Sequence, residues 1–541
     1  MQNRIWHRSY PPGMPREITL DSQQTIASMI AQSCLRHAER IAASCQGEQL
    51  RYADLDRLSV AFGVYLQSVG LQKGERIALM LPNCLPYLVA LSGALRAGMV
   101  VVNVNPLYTA RELEHQLADS GATCIVVATP FLSTVQKVLS GTRIRQLVTT
   151  PLGDLQATVA LRMAEKQSAA VLPDEVLLSD AIAKHMGRSL APLDIQASDT
   201  AFLQYTGGTT GVSKGAVLTH HSVGASLAQM QAWAGFALEK PGASVVTPLP
   251  LYHIYPLAIT LVSIALGSEN RLIPNPRDSA SVIAEMRRQP FELFIGVNTL
   301  FNALVENPDL QQVDFSRTQL VTGAGASVQG AVATRWLAAG GAPITEGYGL
   351  TETSPSATFN PPGRNGTIGI PVPSTDVLVV DNDGHPVERG QPGELLLKGP
   401  QLFAGYWNRD EETRNAFTPD GWFKTGDVVT MDDAGFLYIV DRKKDMILVS
   451  GFNVYPNEIE AVVALLADVL ECACVGVPDA RSGEAPHLFA VPRHASVTPE
   501  HIEAHCRANL AAYKVPRHIT LVDALPKSAI GKILRKELRG Q

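Results

Sequence analysis

The stretch Tyr205-Thr-Gly-Gly-Thr-Thr-Gly-Val-Ser-Lys-Gly215, which follows the apolar run Thr200-Ala-Phe-Leu, decides how the rest of the chain is read. Gly207, Gly208, Gly211 and Gly215 let backbone N–H groups come close to a polyphosphate. Thr206, Thr209, Thr210 and Ser213 add hydroxyl donors, and Lys214 adds a fixed positive charge. The chemistry is that of a phosphate grip placed between a strand and whatever follows it. The spacing is not that of a Walker loop: five residues after Gly207 and Gly208 stand Val212 and Ser213, and Lys214 is followed by Gly215 in place of Ser or Thr. A surface turn accounts for about two or three such residues and leaves the rest unexplained.

Outward from this loop, from about Thr25 to Lys444, short β-branched runs (Ile77-Ala-Leu-Met, Met99-Val-Val-Val-Asn-Val, Cys124-Ile-Val-Val) alternate with helical stretches such as Pro86 to Ala97. That alternation predicts α/β layers with buried, largely parallel strands. After Arg364, Gly and Pro punctuate shorter runs (Val377-Leu-Val-Val, Glu394-Leu-Leu-Leu-Lys, Phe436-Leu-Tyr-Ile-Val), the texture of a β-rich subdomain. From about Asp445 the chain reads as a separate small α+β unit. At 541 residues and 46% hydrophobic it is too long and too apolar for a disordered chain and divides into more than one globular unit.

A net charge of −6 sets up no field that would steer the protein to nucleic acid, so a small molecule is the expected partner. Seven cysteines, odd in number and without a CxxC pair, argue against a disulfide framework or a thiolate zinc site and for a reducing cytoplasm. The richest apolar run, Ile77 to Tyr108, is broken by Pro82, Asn83, Pro86 and Arg96, so no membrane span is expected. The start of the sequence has no apolar h-region.

Five further stretches bear on the chemistry. Gly323-Ala-Gly-Ala-Ser-Val-Gln-Gly330 fails as a dinucleotide fingerprint because its third glycine position is Val328, and alone it reads as a strand-to-helix turn. In Thr345-Glu-Gly-Tyr-Gly-Leu-Thr-Glu-Thr-Ser-Pro355, Glu352 can hold a hard cation, Thr351 can donate to a phosphate and Tyr348 offers a ring to a purine. Asp427, in Gly421-Trp-Phe-Lys-Thr-Gly-Asp427, and Arg442, in Asp441-Arg-Lys-Lys-Asp445, suit a pair of sugar hydroxyls, although a surface salt bridge explains them equally when each is read alone. Pro526-Lys-Ser-Ala-Ile-Gly-Lys-Ile-Leu-Arg-Lys536 is a basic loop holding Lys532 after Gly531. Two other patterns are set aside. His501-Ile-Glu-Ala-His505 misplaces the glutamate of a zincin site and reads as a solvated helix face, and Cys472-Ala-Cys474 reads as strand packing.

In this order, the segments resemble those of the adenylate-forming superfamily of acyl-CoA synthetases over nearly the whole chain. The wording Asp441 to Glu460, Gly296-Val-Asn-Thr-Leu-Phe-Asn-Ala303 and Val102-Asn-Val-Asn-Pro-Leu-Tyr108 is similar to that of bacterial long-chain fatty acid–CoA ligases. The resemblance implies ATP, Mg2+ and coenzyme A, with Tyr205 to Gly215 gripping phosphates and Gly323, Ala324, Gly325, Gly347 and Tyr348 lining the adenine. It implies Thr351 at the α-phosphate, Glu352 on magnesium, Asp427 and Arg442 on the ribose, and His253 beside the acyl carboxylate. Lys532 becomes the lysine of adenylation. Lys444 becomes the hinge that swings it out and brings the face near Ser450 and Gly451 in to guide pantetheine. Some long-chain members carry a tryptophan gate where this chain has Leu257, which leaves gating by that device open.

The fold implied is a large multilayered α/β domain over 1–440 with its β-rich subdomain, a hinge over 441–444 and a mobile α+β domain over 445–541. The reaction implied joins a fatty acid to CoA through an acyl-adenylate, with longer chains preferred and peripheral rather than integral contact at the inner membrane. A ligase that loads a carrier protein shares every motif; an inactive lipid-binding homologue is disfavoured by Lys532, Glu352, Thr351 and Asp427. The oligomeric state, a homodimer among the options, is left open.

Overall fold

Alternate residues of the β-branched runs enter two different cores, which is why those runs are continuously apolar. The computed structural model describes residues 4–153, 155–156, 158–160, 175–206, 213–325, 327–450, 452–479, 481–528 and 533–539. In it, strand Arg76–Met80 lies between Val100–Asn103 and Cys124–Ala128, all parallel. Ile77, Leu79, Val101, Cys124 and Val126 pack with the helices Tyr52–Ser68 and Leu85–Arg96. Their neighbours Ala78, Met80, Val102, Ile125 and Val127 pack instead with Leu113 and Leu117 of helix Ala110–Ser120. A strand covered on both faces needs apolar residues at every position. Thr109 starts the last helix with a capping box, exchanging hydrogen bonds with Glu112.

This seven-stranded sheet runs, edge to edge, Glu175–Leu177, Gln146–Thr150, Cys124–Ala128, Arg76–Met80, Val100–Asn103, Thr200–Thr206 and Lys214–Thr219. Its last pair is antiparallel, with Thr206 opposite Lys214 and Tyr205 opposite Gly215. A nine-stranded sheet has a parallel centre of Ser244–Thr247, Leu293–Gly296, Leu320–Gly323 and Ile344–Tyr348. In open α/β sheets ligands gather at the carboxyl ends of such strands, here the ends that lead to His253, Gly296, Gly323 and Tyr348. The hairpin Ile41–Cys45 and Glu48–Arg51, from far earlier in the chain, completes one edge of this sheet beside Glu269–Leu272.

The β-rich subdomain is a four-stranded antiparallel sheet of Asp376–Val380, Gly393–Lys398, Phe423–Met431 and Leu437–Arg442. The next strand, Ile447–Val449, belongs to a five-stranded sheet of the C-terminal region, on which Ile459 and Val463 of helix Pro456–Val463 and Ile502 and Cys506 of helix Pro499–Asn509 are buried. The architecture is therefore α/β, with a large N-terminal domain that includes a β-rich part and a smaller α+β C-terminal domain. Among the described residues no helix is long and apolar enough to cross a membrane.

Candidate active site

The strands that flank the glycine-rich stretch are bonded to each other and to their surroundings. Ser213 Oγ donates to the Thr206 carbonyl at 2.8 Å, and Tyr205 donates its hydroxyl to Asp119 at 2.7 Å, which anchors the strand where the loop departs. Asp119 also takes Arg409 at 2.8 Å. Lys214 lies 3.8 Å from Glu412 and 5.3 Å from the centre of the Tyr406 ring. Gly207, Gly208, Thr209, Thr210 and Gly211 lie outside the described residues, as do Gly451 and Lys532.

His253 caps helix Ile254–Leu266 at its N-terminus and is only part-exposed. Burial pushes its imidazole down to about 4, so it is neutral at physiological pH. Two residues on, Tyr255 is hydrogen-bonded at 2.6 Å to Thr322, which immediately precedes Gly323. Leu257 is fully buried. Gly296 and Gly323 face each other on adjacent strands, and a side chain at either would collide, with the Phe301 ring at 2.6 Å or with Val328 at 2.7 Å. These glycines therefore make room for neighbouring side chains, not for an open channel. Glu346 fixes the loop that follows, accepting the Val328 N–H at 2.8 Å and the Gly366 N–H at 2.6 Å. Burial raises its pKa, against the pull of both donors.

The segment 348–352 joins two charged clusters. At one end Tyr348 donates to Asp427 Oδ2 at 2.5 Å, while Asp427 Oδ1 meets Arg442 Nε at 3.1 Å. Asp427 and Arg442 are register partners on adjacent strands, and Asp427 is buried. Burial, reinforced by Asp427, pushes the Tyr348 hydroxyl well above its ordinary value, so it stays a donor. Tyr348, expected from the sequence to offer its ring to a purine, is thus bonded through its hydroxyl to the acid expected at the ribose. At the other end Glu352, 9% exposed, accepts the Tyr406 hydroxyl on Oε1 at 2.7 Å. Among the described residues its second oxygen accepts no hydrogen bond. One open carboxylate oxygen on a nearly buried acid suits magnesium, which takes one or two carboxylates and completes its shell with water and substrate phosphates.

Lys444 follows the Asp427–Arg442 pair, and burial, helped by Arg442, lowers its pKa. Beyond it Arg535 reaches Asn457 at 2.6 Å and both oxygens of Glu460 at 2.9 and 2.8 Å, and stands 3.6 Å from Asp441 and from Asp445. Asp441 also accepts the Asn457 N–H at 2.9 Å, so the strand before Lys444 and the helix after it share one buried carboxylate. Tyr406, Asp119, Glu346 and Arg535 carry no signal in any local motif, because their partners come from distant segments of the chain. The two patterns set aside stay so: Cys472 and Cys474 are buried in strand Val469–Asp479, and His501 is exposed while His505 binds the Val462 carbonyl at 3.0 Å.

An α/β frame that joins a glycine-rich strand connection, a nearly buried acid and the paired Asp427 and Arg442 has the make-up of a nucleotide-using enzyme of the adenylating class. The chain belongs to the AMP-binding enzyme family, whose profile matches residues 30–407, with the AMP-binding enzyme C-terminal domain matching 458–532. It is 49% identical to a long-chain-fatty-acid–CoA ligase of Yersinia pestis, over 99% of this chain and 98% of that protein. A long-chain-fatty-acid–CoA ligase of Escherichia coli O6:H1 is 48% identical over the same shares. The crystal structure of ATP-bound MatB from Rhodopseudomonas palustris superposes with a TM-score of 0.83 at 28% identity, covering 96% of this chain and 99% of that one.

Proposed function

We propose that this protein is an ATP-dependent fatty acid–CoA ligase that converts a fatty acid, ATP and CoA into acyl-CoA, AMP and diphosphate through an acyl-adenylate. The observation that carries this reading is the segment 348–352, which has the Asp427–Arg442 pair at one end and Glu352, tied through Tyr406 to Lys214, at the other. Ribose and polyphosphate handles of a single nucleotide are thereby set a few residues apart. Near-identical length and about half-identical sequence with the curated ligases support the acid and thiol partners.

A carboxylate acylates poorly, so its oxygen attacks the α-phosphorus, diphosphate leaves, and the carbonyl carbon gains a good leaving group. Negative charge grows on the phosphoryl oxygens in that step. Lys214, the loop amides, Thr351 and Lys532 would stabilise it as fixed donors, each worth about 10²–10³ in rate by analogy with oxyanion holes. Magnesium held by Glu352 would neutralise polyphosphate charge and orient the leaving group. Neutral His253 offers an uncharged ring beside the acyl carboxylate, so it neither traps that anion as an ion pair nor donates a proton to it. CoA thiolate then attacks the acyl carbon and AMP leaves as the thioester forms, with Lys444 as the proposed pivot.

The reading places the enzyme in the cytoplasm with peripheral contact at the inner membrane. The test is diphosphate release over C4 to C18 acids and several aryl acids, with free CoA compared against a phosphopantetheinylated carrier protein. Release with fatty acids and thioester formed on free CoA is the expected outcome. Transfer to the carrier alone overturns the CoA assignment.

A further inference from the structure

Tyr406 lies outside every motif that the reaction draws on, in the segment Ala404-Gly405-Tyr406-Trp407. Backbone bonds lay that segment along strand Lys214–Thr219: Ala404 N–H donates to the Val217 carbonyl at 2.9 Å, Val217 N–H to Gly405 at 2.9 Å, and Trp407 N–H to Gly215 at 2.8 Å. The tyrosine is thereby registered on the strand that carries Lys214. Its N–H donates to Thr413 Oγ1 at 2.8 Å, and its ring meets Phe403 edge-on at 4.9 Å. The Phe403 N–H in turn donates to the Glu352 carbonyl at 2.8 Å, so the same segment holds the backbone and the side chain of Glu352.

We propose that Tyr406 is a positioning residue that locks the Glu352 carboxylate, through its hydroxyl bond to Oε1, so that Glu352 presents one oxygen in a fixed direction to a divalent cation. The proposal rests on the reading of Glu352 as the cation ligand. Glu352 is nearly buried, yet among the described residues only one of its oxygens is engaged, and the engaged one faces the tyrosine. Lys214 over the face of the ring and Glu352 at its hydroxyl tie a cation and the proposed metal-directed anion to one rigid aromatic. Without the hydroxyl the carboxylate turns freely about its terminal bond and must be ordered each time a cation binds. Groups that orient a metal ligand in this way typically account for about 10- to 100-fold in metal affinity.

The test is Mn2+ binding to the full chain by electron paramagnetic resonance, with a non-hydrolysable ATP analogue and no acid present, so that no turnover enters. Tyr406→Phe keeps the ring against Phe403 and under Lys214 and removes only the hydroxyl. Its Mn2+ affinity is expected to fall by roughly tenfold or more, with the thermal midpoint unchanged and the affinity for the metal-free analogue unchanged. Glu352→Ala is expected to lose this binding outright, and the double variant to be no worse than Glu352→Ala alone. Wild-type Mn2+ affinity in Tyr406→Phe, with binding lost in Glu352→Ala, overturns the role of Tyr406 and leaves Glu352 as ligand. Wild-type affinity in both overturns the ligand reading itself, and the proposal with it.

Discussion

His253 and His220 are both buried enough that each is pushed down to about 4. The unfolded chain takes up these protons near the ordinary value of about 6.5. Folding therefore has its full stability above about pH 6.5 and loses it as the pH falls from there towards 4, by up to about 3 kcal/mol per histidine. Urea unfolding at pH 7 and pH 5 should show that loss, and His253→Phe should show a smaller one; an equal loss would place the titration elsewhere. NMR should find the His253 ring neutral throughout pH 5.5–8. The Asp427–Arg442 pair, proposed to hold the ribose, behaves differently because its charges are paired. Asp427→Ala strands Arg442 and Tyr348 and removes charge-assisted bonds of about 1.5–3 kcal/mol, so the KM for ATP should rise roughly 10- to 150-fold, with the KM for the fatty acid little changed. An unchanged KM for ATP would make the pair structural.

The elements divide by how much of their meaning lies within a few residues. The parallel strands were legible at Ile77, Val101 and Ile125, because burial on two faces writes itself as an unbroken β-branched run. The hairpin Ile41–Cys45 and Glu48–Arg51 was not, since its partner Glu269–Leu272 lies far along the chain and its short strands carry mixed residues. The nucleotide motifs were legible as words, and the bonds among them were not: Tyr406 reaches Glu352 only through its register on strand Lys214–Thr219. Arg535 is the same case, because three carboxylates from separated places converge on it. At this scale Lys532→Ala should abolish adenylate formation while sparing thioester formation from presynthesised acyl-AMP, since only the first step builds charge on phosphorus. Lys444→Pro fixes φ at the pivot and should impair the second step more than the first. Single-turnover assays of each half-reaction separate the two, and equal losses in both steps would remove Lys532 from its adenylation role.

For the whole molecule the open quantity is which acids it favours. A net charge of −6 gives no strong long-range attraction for a carboxylate, so selection falls to the walls met after encounter. In the acyl site proposed beside His253, the buried neighbours Val297 and Leu257 are apolar, and the room that Gly296 and Gly323 leave is taken up by Phe301 and Val328, so the glycines do not by themselves admit a broad aromatic acid. Tyr255 bonded to Thr322 puts a single polar pair in these surroundings. An extended chain gains about 0.8 kcal/mol for each methylene it buries, so four further carbons contribute roughly 3 kcal/mol, or about two decades in kcat/KM. Acids from C8 to C12 should therefore climb steeply in kcat/KM, measured by diphosphate release below the concentration at which the acids form micelles. The climb should level off once the chain outgrows the space that holds it, because methylenes left in water contribute nothing. Acetate and aryl acids should fall below the C8 acid. A flat profile from C4 to C16, or a best substrate with an aromatic ring, would overturn the long-chain preference. The adenylation chemistry would survive that result, since the groups that bind ribose and phosphate do not touch the acyl chain.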